Sequence, residues 1–321
     1  MKVFLRTKYG SPDVLFIKDI EKSSPKENEI LVKVHAASVN VDDLEHLRGT
    51  FAVRMGGPLK PKYKILGSDI AGKIESVGKN VRNFKLGDEV FGDLTEYGFG
   101  AFAEYVCVSE DALVLKPANL TFKEASTLTS RASIAIRYLR AKRQVQPGDK
   151  VLVNGAGGGV GTFAVQIAKY FGAEVTGVDS TTKLDMLCSI GADYVVDYTR
   201  EDFTKNGQHY DLILDISAHH SILDYKRALN ENGIYLIVGG SRSSILQALF
   251  LGPLISMIGN RKMGIPFAGS KKEDLIFIKD LVESGKVVPV IDRCFPFEEI
   301  PEALRYLEHG EQKGKIIISF K

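Results

Sequence analysis

The chain has 321 residues, a net charge of +2 and three cysteines. At about 150 residues per domain the length supports two domains with ordinary cores, and 44% apolar with 26% charged residues is the composition of a folded globular chain. The balanced charge, with no block of five like charges, excludes the footprint of a nucleic-acid binder; Cys107, Cys188 and Cys294 are too scattered for a disulfide framework or a four-cysteine zinc site, which fits a reduced, cytoplasmic setting.

The opening MKVFLRTKYG reads as a strand with interleaved charges and not as the apolar core of a signal peptide. EILVKVHAASVN, DIAGKIESVG, DEVFG and FAEYVCVS are short, β-branched and separated by glycines, which predicts a compact, barrel-like antiparallel domain. At Thr121 the spacing turns helical: TFKEASTLTSRASIAIRYLRAKR carries apolar residues at helical intervals, and Thr121 stands three before Glu124, a capping-box spacing. From Lys150 onward VLVN, EVTGV, DYVVD, DLILDI and IYLIVGG alternate with helical stretches such as TFAVQIAKYFGA. That alternation predicts a parallel sheet covered on both faces. The longest uncharged run is Ser243–Asn260; Gln247, Gly252–Pro253 and its serines argue against a membrane span. It reads as an apolar pocket wall, a dimer contact or a buried core helix. The tail resumes with the helical KEDLIFIKDLVESGK, strand-like VVPVIDR, a short helix and IIISF.

The sharpest local signal is KVLVNGAGGGVGTFAVQIAKYFGAEVTGVD. A buried strand runs into a glycine turn that opens a helix at about Val160. The turn, Ala156, Gly157, Gly158, Gly159, Val160 and Gly161, fits G-x-G-x-x-G with Ala156 in the first slot. A small residue makes the turn, Gly158 lets the backbone approach a pyrophosphate, and Gly161 lets the helix pack closely on the strand. The helix N-terminus then offers free N–H groups to the phosphates. A second strand ends in Asp179, about 20 residues on, the place of a ribose ligand. Asp179 accepting both ribose hydroxyls favours NADH; Ser180, Thr181 and Lys183 directly after it can donate to a 2′-phosphate, and NADPH is the expected coenzyme.

These segments together resemble the zinc-independent, zeta-crystallin-like quinone oxidoreductase branch of the medium-chain dehydrogenase/reductase superfamily. The likeness runs nearly end to end, through SVNVDDLEHLRG, ILGSDIAGKIESVG, FKLGDEVFG, the glycine turn, SIGADYVVDY and GKIII. It implies a GroES-like β-rich catalytic domain (residues 1–122 and 271–321), an inserted doubly wound Rossmann domain (123–270) and a substrate cleft between them. The superfamily's catalytic zinc is held by cysteine and histidine; here those slots align with Asn40 and Ser68, and the structural zinc loop is missing, so no metal site is expected. Without a Lewis acid, alcohol oxidation gives way to hydride transfer onto an already electrophilic quinone or α,β-unsaturated carbonyl.

By the same resemblance Asn40 sits near nicotinamide and acceptor, Tyr198 lies by the adenosine end, Gly239, Gly240 and Ser241 approach the coenzyme, and Phe267 contacts the nicotinamide side. Tyr63 and Tyr97 are candidate proton donors or stacking groups, Ser133 stands in for a family threonine that here aligns with Ile134, and Asp43 with Arg48 reads as a structural pair. Glu45 replaces a lysine common in enone reductases. That change and Ile134 keep open an idle NADPH-binding sensor or scaffold, and Asp179 keeps open an NAD-linked zinc-free alcohol dehydrogenase. The family's habit of pairing Rossmann edge strands implies a homodimer through RKMGIPF; no nucleic acid or membrane partner is expected.

Overall fold

The computed structural model describes residues 1–266 and 271–321. The chain divides into two compact units, one of Met1–Ser133, Ser270–Ser284 and Pro289–Lys321, the other of Ile134–Gly269 and Gly285–Val288. The first unit thus draws on both ends of the chain, and the change of domain placed at residue 122 falls inside it.

In chain order the first unit lays down β1 (Lys2–Leu5), β2 (Phe16–Asp19), β3 (Glu29–Val39), α1 (Val41–Arg48), α2 (Phe51–Met55), β4 (Asp69–Val77), β5 (Glu89–Asp93), β6 (Tyr105–Ser109), β7 (Leu113–Leu115), α3 (Phe122–Ala125) and the start of α4 (Ser130–Arg140). The second unit follows with β8 (Lys150–Asn154), α5 (Gly161–Tyr170), β9 (Glu174–Asp179), α6 (Leu184–Ser189), β10 (Tyr194–Asp197), β11 (Tyr210–Asp215), α7 (Ile222–Arg227), β12 (Leu229–Ile237), α8 (Arg242–Ile258) and β13 (Lys262–Gly264). The first unit is completed by α9 (Lys272–Glu283), β14 (Ile291–Pro296), α10 (Ile300–His309) and β15 (Lys315–Ser319).

The first unit is built on a seven-stranded sheet in the order β14-β15-β3-β4-β5-β7, with β6 also paired to β3. Its pairings are antiparallel except β14 on β15. Strand β3 is long enough to pair with β4, β6 and β15, and its side chains alternate around Lys33 and His35, which face away from the core. The last strand, β15, lies against β3 with Ile316 opposite Val39 and Ile318 opposite Ala37. Both isoleucines enter the core with Ile30, Val32, Ile70, Ile74, Val90 and Phe102. The strand expected at VVPVIDR begins only at Ile291.

The second unit is a wholly parallel sheet in the order β10-β9-β8-β11-β12-β13, which is the doubly wound 3-2-1-4-5-6 sequence. The central strands β8, β9 and β11 are buried along almost their full length, as a sheet covered on both faces requires.

Two helices depart from the sequence reading. The run from Thr121 is not one helix: α3 is capped by the reciprocal Thr121–Glu124 box and stops at Ala125, and α4 starts at Ser130. Between them Ser126, Thr127 and Thr129 turn their hydroxyls back onto the carbonyls of Lys123, Glu124 and Ser126, the side-chain competition that makes such residues poor helix interiors. The uncharged run forms α8, and it is not a buried core helix. Ser244, Ala248 and Gly252, four residues apart, form its inward face, while Leu246, Phe250, Leu254, Met257 and Ile258 are between 53% and 89% exposed. A Cβ on Gly252 would lie 2.8 Å from the Met263 carbonyl oxygen, so the helix rests on β13 through its small residues and turns its large ones outward. Among the described residues no helix is long and apolar enough to cross a membrane.

Because β15 closes the core of the first unit, Ile316→Ala is expected to destabilise it by about 3 kcal/mol through lost burial and a residual cavity; chemical denaturation checks this.

Candidate active site

The residues expected to bind a coenzyme lie in the second unit. After β8 the chain turns at Gly155, whose φ of +79° is the left-handed conformation that glycine tolerates. The tight turn is therefore made at Gly155 and not at Ala156, whose side chain is buried. Helix α5 begins at Gly161, where a Cβ would lie 2.4 Å from the Gly155 oxygen, so only glycine fits. The nearest atom to a Cβ on Gly158 is 3.5 Å away, which leaves that backbone open to a ligand. The open backbone and the N-terminus of α5 supply the N–H groups a pyrophosphate needs; the residues fit a dinucleotide.

Asp179 ends β9 and is only 6% exposed. Its Oδ2 accepts the Gly157 N–H at 2.8 Å, its Oδ1 accepts the Ser180 N–H at 2.9 Å, and the Lys183 ammonium lies 3.4 Å from Oδ1. The carboxylate therefore clamps the glycine turn. Lys183, also 6% exposed, leans over Gly157, where a Cβ would come within 2.6 Å of its Cδ. Thr181 donates its hydroxyl to Asp197, and the Tyr198 N–H reaches the Asp179 carbonyl at 3.2 Å. Asp179, Ser180, Thr181, Lys183 and Tyr198 are thus brought together at the ends of β9 and β10. Gly239, Gly240 and Ser241 follow β12. Gly240, at φ +140°, sits against Ala218, whose oxygen would lie 2.3 Å from an added Cβ, and Ser241 caps α8 through the Ser244 N–H. The close approach at this loop is to the 217–220 backbone. Phe267 lies outside the described residues.

The catalytic candidates lie in the first unit, around a buried charged network. Asp69, on β4, is fully buried. Its Oδ2 accepts the Ser38 hydroxyl and the Asn40 amide, both at 2.8 Å, and the Lys315 ammonium at 3.3 Å; its Oδ1 accepts the Ser130 N–H at 3.3 Å. Burial opposes this charge, but Lys315, Arg131 and the Thr129 and Asn40 hydrogen bonds hold the Asp69 carboxyl below the usual carboxylate range. Burial pulls Lys315 down from the ordinary lysine value, and Asp69 offsets the pull.

Asn40 is the centre of this network. Its Nδ2 donates to Ser68 Oγ at 3.1 Å as well as to Asp69, and its Oδ1 accepts Lys315 Nζ at 2.6 Å and Arg131 Nε at 3.0 Å. Every polar atom of its side chain is used, and 3% of its surface is exposed. Asn40 is a positioning residue within the network, not a group with a hydrogen bond to spare. Arg131, missed in the sequence, binds Asp42 at the cleft side of the same cluster. The expected pair of Asp43 and Arg48 does not form. Asp43 turns inward and accepts the N–H groups of Asn40 and Gly67, while Arg48 pairs with Glu308. Burial, with Asp69 and Asp42 nearby, pushes Asp43 up to about 7.

Tyr63 packs against Phe99 and His46, with ring centroids 5.0 and 5.7 Å away. The three line a cleft of about 370 Å³ together with Asp42, Glu45 and Val53. Burial, reinforced by Arg6, lowers the His46 pKa. Ser133 on α4 is 1% exposed, and its hydroxyl has no partner among the described residues.

Residues 26–118 match the family model of an alcohol dehydrogenase GroES-like domain, and residues 190–318 that of a zinc-binding dehydrogenase. A 2-methylene-furan-3-one reductase of Solanum lycopersicum is 34% identical over 99% of this chain and 79% of its own length. An NADPH-dependent alkenal/one oxidoreductase, chloroplastic, of Arabidopsis thaliana is 31% identical over the same shares. The solved quinone oxidoreductase of Coxiella burnetii, 28% identical, superposes with a TM-score of 0.87 over 100% of this chain and 99% of its own.

The zinc in the second description does not fit this chain. The two aligned ligand slots, Asn40 and Ser68, offer an amide and a hydroxyl already bonded to each other, with an ammonium 2.6 Å from the amide oxygen. Among the described residues no three His, Cys, Asp or Glu side chains are gathered to hold a metal ion. Lys315→Met would leave Asp69 and the Asn40 oxygen facing an apolar methyl group. The expected loss is about 3 kcal/mol or more of stability, read by denaturant unfolding, with partial recovery in the double variant Lys315→Met/Asp69→Asn.

Proposed function

The chain belongs to the quinone oxidoreductase and enone reductase branch of the medium-chain dehydrogenase/reductase superfamily, and from that membership we propose that it is a zinc-independent reductase passing hydride from NADPH to a quinone or an α,β-unsaturated carbonyl. The observation that carries this reading is the pairing of an open glycine turn in the second unit with a filled, metal-incompatible polar network in the first.

NADPH, when bound, supplies the hydride. Gly158 and the N-terminus of α5 would hold its pyrophosphate, and Ser180, Thr181, Lys183 and Tyr198 would receive its 2′-phosphate. Asp179 supports NADPH over NADH because its oxygens are taken by two N–H groups and its charge is offset by Lys183. It is not a free acceptor for ribose hydroxyls. The acceptor docks in the cleft bounded by Tyr63, His46 and Phe99, and the Tyr63 hydroxyl there has a proton to offer the developing oxyanion, whereas Ser133 is buried outside the lining of that cleft. Asn40 serves by holding Arg131 and Lys315 in place.

The test is oxidation of NADPH, followed at 340 nm, against a panel of quinones and enones with and without a zinc chelator. Turnover with at least one acceptor, unchanged by the chelator, is expected. Saturable NADPH binding without any turnover would instead indicate an idle sensor, and loss of activity on chelation would overturn zinc independence.

The same reading includes a homodimer. Strand β13 ends the parallel sheet with one edge unpaired among the described residues, and α8 beside it turns Leu254, Met257 and Ile258 outward. A sheet edge and an adjoining apolar patch both call for cover, and a second copy supplies an identical edge and patch. Light scattering is expected to give twice the 35.3 kDa chain mass, and the variant Leu254→Glu/Met257→Glu is expected to run as a monomer.

A further inference from the structure

A second buried carboxylate, Asp215, lies beneath the coenzyme turn and has no part in the reading so far. It ends β11, is fully buried, and stands in register with Asn154, the last residue of β8. Asn154 Nδ2 donates to Asp215 Oδ1 at 2.8 Å and to the Ser217 carbonyl at 3.2 Å. The Tyr235 hydroxyl, from β12, donates to Oδ2 at 3.0 Å, and the Tyr225 hydroxyl, from α7, donates to the same carboxylate. Tyr225 in turn accepts the N–H groups of His219 and His220 at 3.2 and 3.3 Å, and its ring stacks on that of Tyr235 with centroids 4.4 Å apart.

Through these bonds one carboxylate ties down three loops. Asn154 leads straight into Gly155 and the glycine turn. Ser217, His219 and His220 form the loop after β11. Ala218 of that loop bridges to Gly240, donating to the Gly239 oxygen at 3.0 Å and accepting the Ser241 N–H at 2.7 Å. All three loops leave the carboxyl edge of a doubly wound sheet, the edge where such sheets take nucleotides.

The side chains that reach Asp215 are all donors: an amide N–H₂ and two phenols. An ionised carboxylate accepts from all of them, whereas a protonated one must place its own hydrogen against a donor. Tyr235 can rotate to accept that hydrogen, but Tyr225 already accepts two N–H groups and must lose one to do so, and the Asn154 N–H₂ cannot accept at all. Burial pushes Asp215 up to about 6, with hydrogen bonds from Tyr225, Asn154 and Tyr235 and the nearby His219 acting the other way.

We propose that Asp215 is a positioning residue for the coenzyme, its charged form holding the glycine turn and the 217–220 loop in their binding arrangement through Asn154 and Tyr225. This rests on the coenzyme reading above. Nucleotide affinity then follows the ionisation of a group the nucleotide does not touch, and protonation removes binding-competent molecules in proportion to the protonated fraction.

Isothermal titration of NADH and NADPH between pH 5 and 8 tests this in the wild type, Asp215→Asn and Asn154→Ala. NADH is the deciding probe, because the 2′-phosphate of NADPH itself titrates near pH 6. Wild-type NADH affinity is expected to weaken about tenfold between pH 7.5 and pH 5. Asp215→Asn should bind more weakly than wild type at pH 7.5 and vary less than twofold across the range. Asn154→Ala keeps the acid but cuts its link to the turn, so it should lose the slope as well while remaining folded by thermal melting. A flat wild-type profile, or an unchanged slope in Asn154→Ala, overturns the proposal. If neither nucleotide binds at any pH, the coenzyme reading falls together with the proposal.

Discussion

The first unit depends on the buried carboxylate of Asp69. A desolvated charge of this kind costs several kcal/mol unless its lone pairs are met by fixed donors, so each donor around it is an obligation on the fold. Ser38 comes from the end of β3, Asn40 from the cap of α1, the Ser130 N–H from the start of α4 and Lys315 from the last strand. Lys315 is 246 residues from its partner in sequence. The return of the chain to its first sheet is what delivers that ammonium, and the isoleucines flanking it on β15 seal it under the core. Packing and charge are therefore satisfied by the same strand.

Much of this arrangement was legible in the sequence because it is local. The alternation of β3, the apolar runs of the parallel strands and the Thr121 box depend on neighbours within a few residues, and each was found close to its expected place. What escaped was set by partners far along the chain or by side chains competing with the backbone. The break between α3 and α4 comes from three hydroxyls that a periodicity count treats as neutral. Asp43 and Arg48 share a helix and opposite charges, yet one faces the Gly67 N–H and the other Glu308. Asn40 was singled out by its motif, but its saturation depends on residues 68, 69, 131 and 315 at once. In the glycine turn, pattern matching gave the first slot to Ala156, while the backbone needed its positive φ one residue earlier.

The second unit repeats the device with its own acids. Asp179 and Asp215 both end parallel strands, both are buried, and both reach the turn after β8. Asp179 does so through the N–H of Gly157, and Asp215 through the side chain of Asn154. The two differ in what surrounds them. Asp179 has a cation beside it, so its charge is balanced within the cluster. Asp215 has only neutral donors within hydrogen-bonding distance, so burial weighs more heavily on it. A turn that must present bare N–H groups to a ligand cannot be stiffened by side chains on its ligand face. Buried acids beneath it can supply that stiffness from the protein side.

The filled network of the first unit also constrains the chemistry. The Asn40 amide, bonded to Ser68, Asp69, Arg131 and Lys315, leaves no lone pair for a metal and no spare donor for a substrate oxygen. On the proposed reading, polarisation of an acceptor comes from a group that lines the cleft, the Tyr63 hydroxyl. A neutral hydroxyl stabilises a developing oxyanion far less than a divalent cation does, so the acceptor has to bring most of its own electrophilicity. Conjugated carbonyls and quinones do so, whereas a simple ketone or an alcohol does not. On the proposed zinc-independent reading, a hydrogen-bond network in the place of a metal acts on specificity, by favouring acceptors that need no Lewis acid.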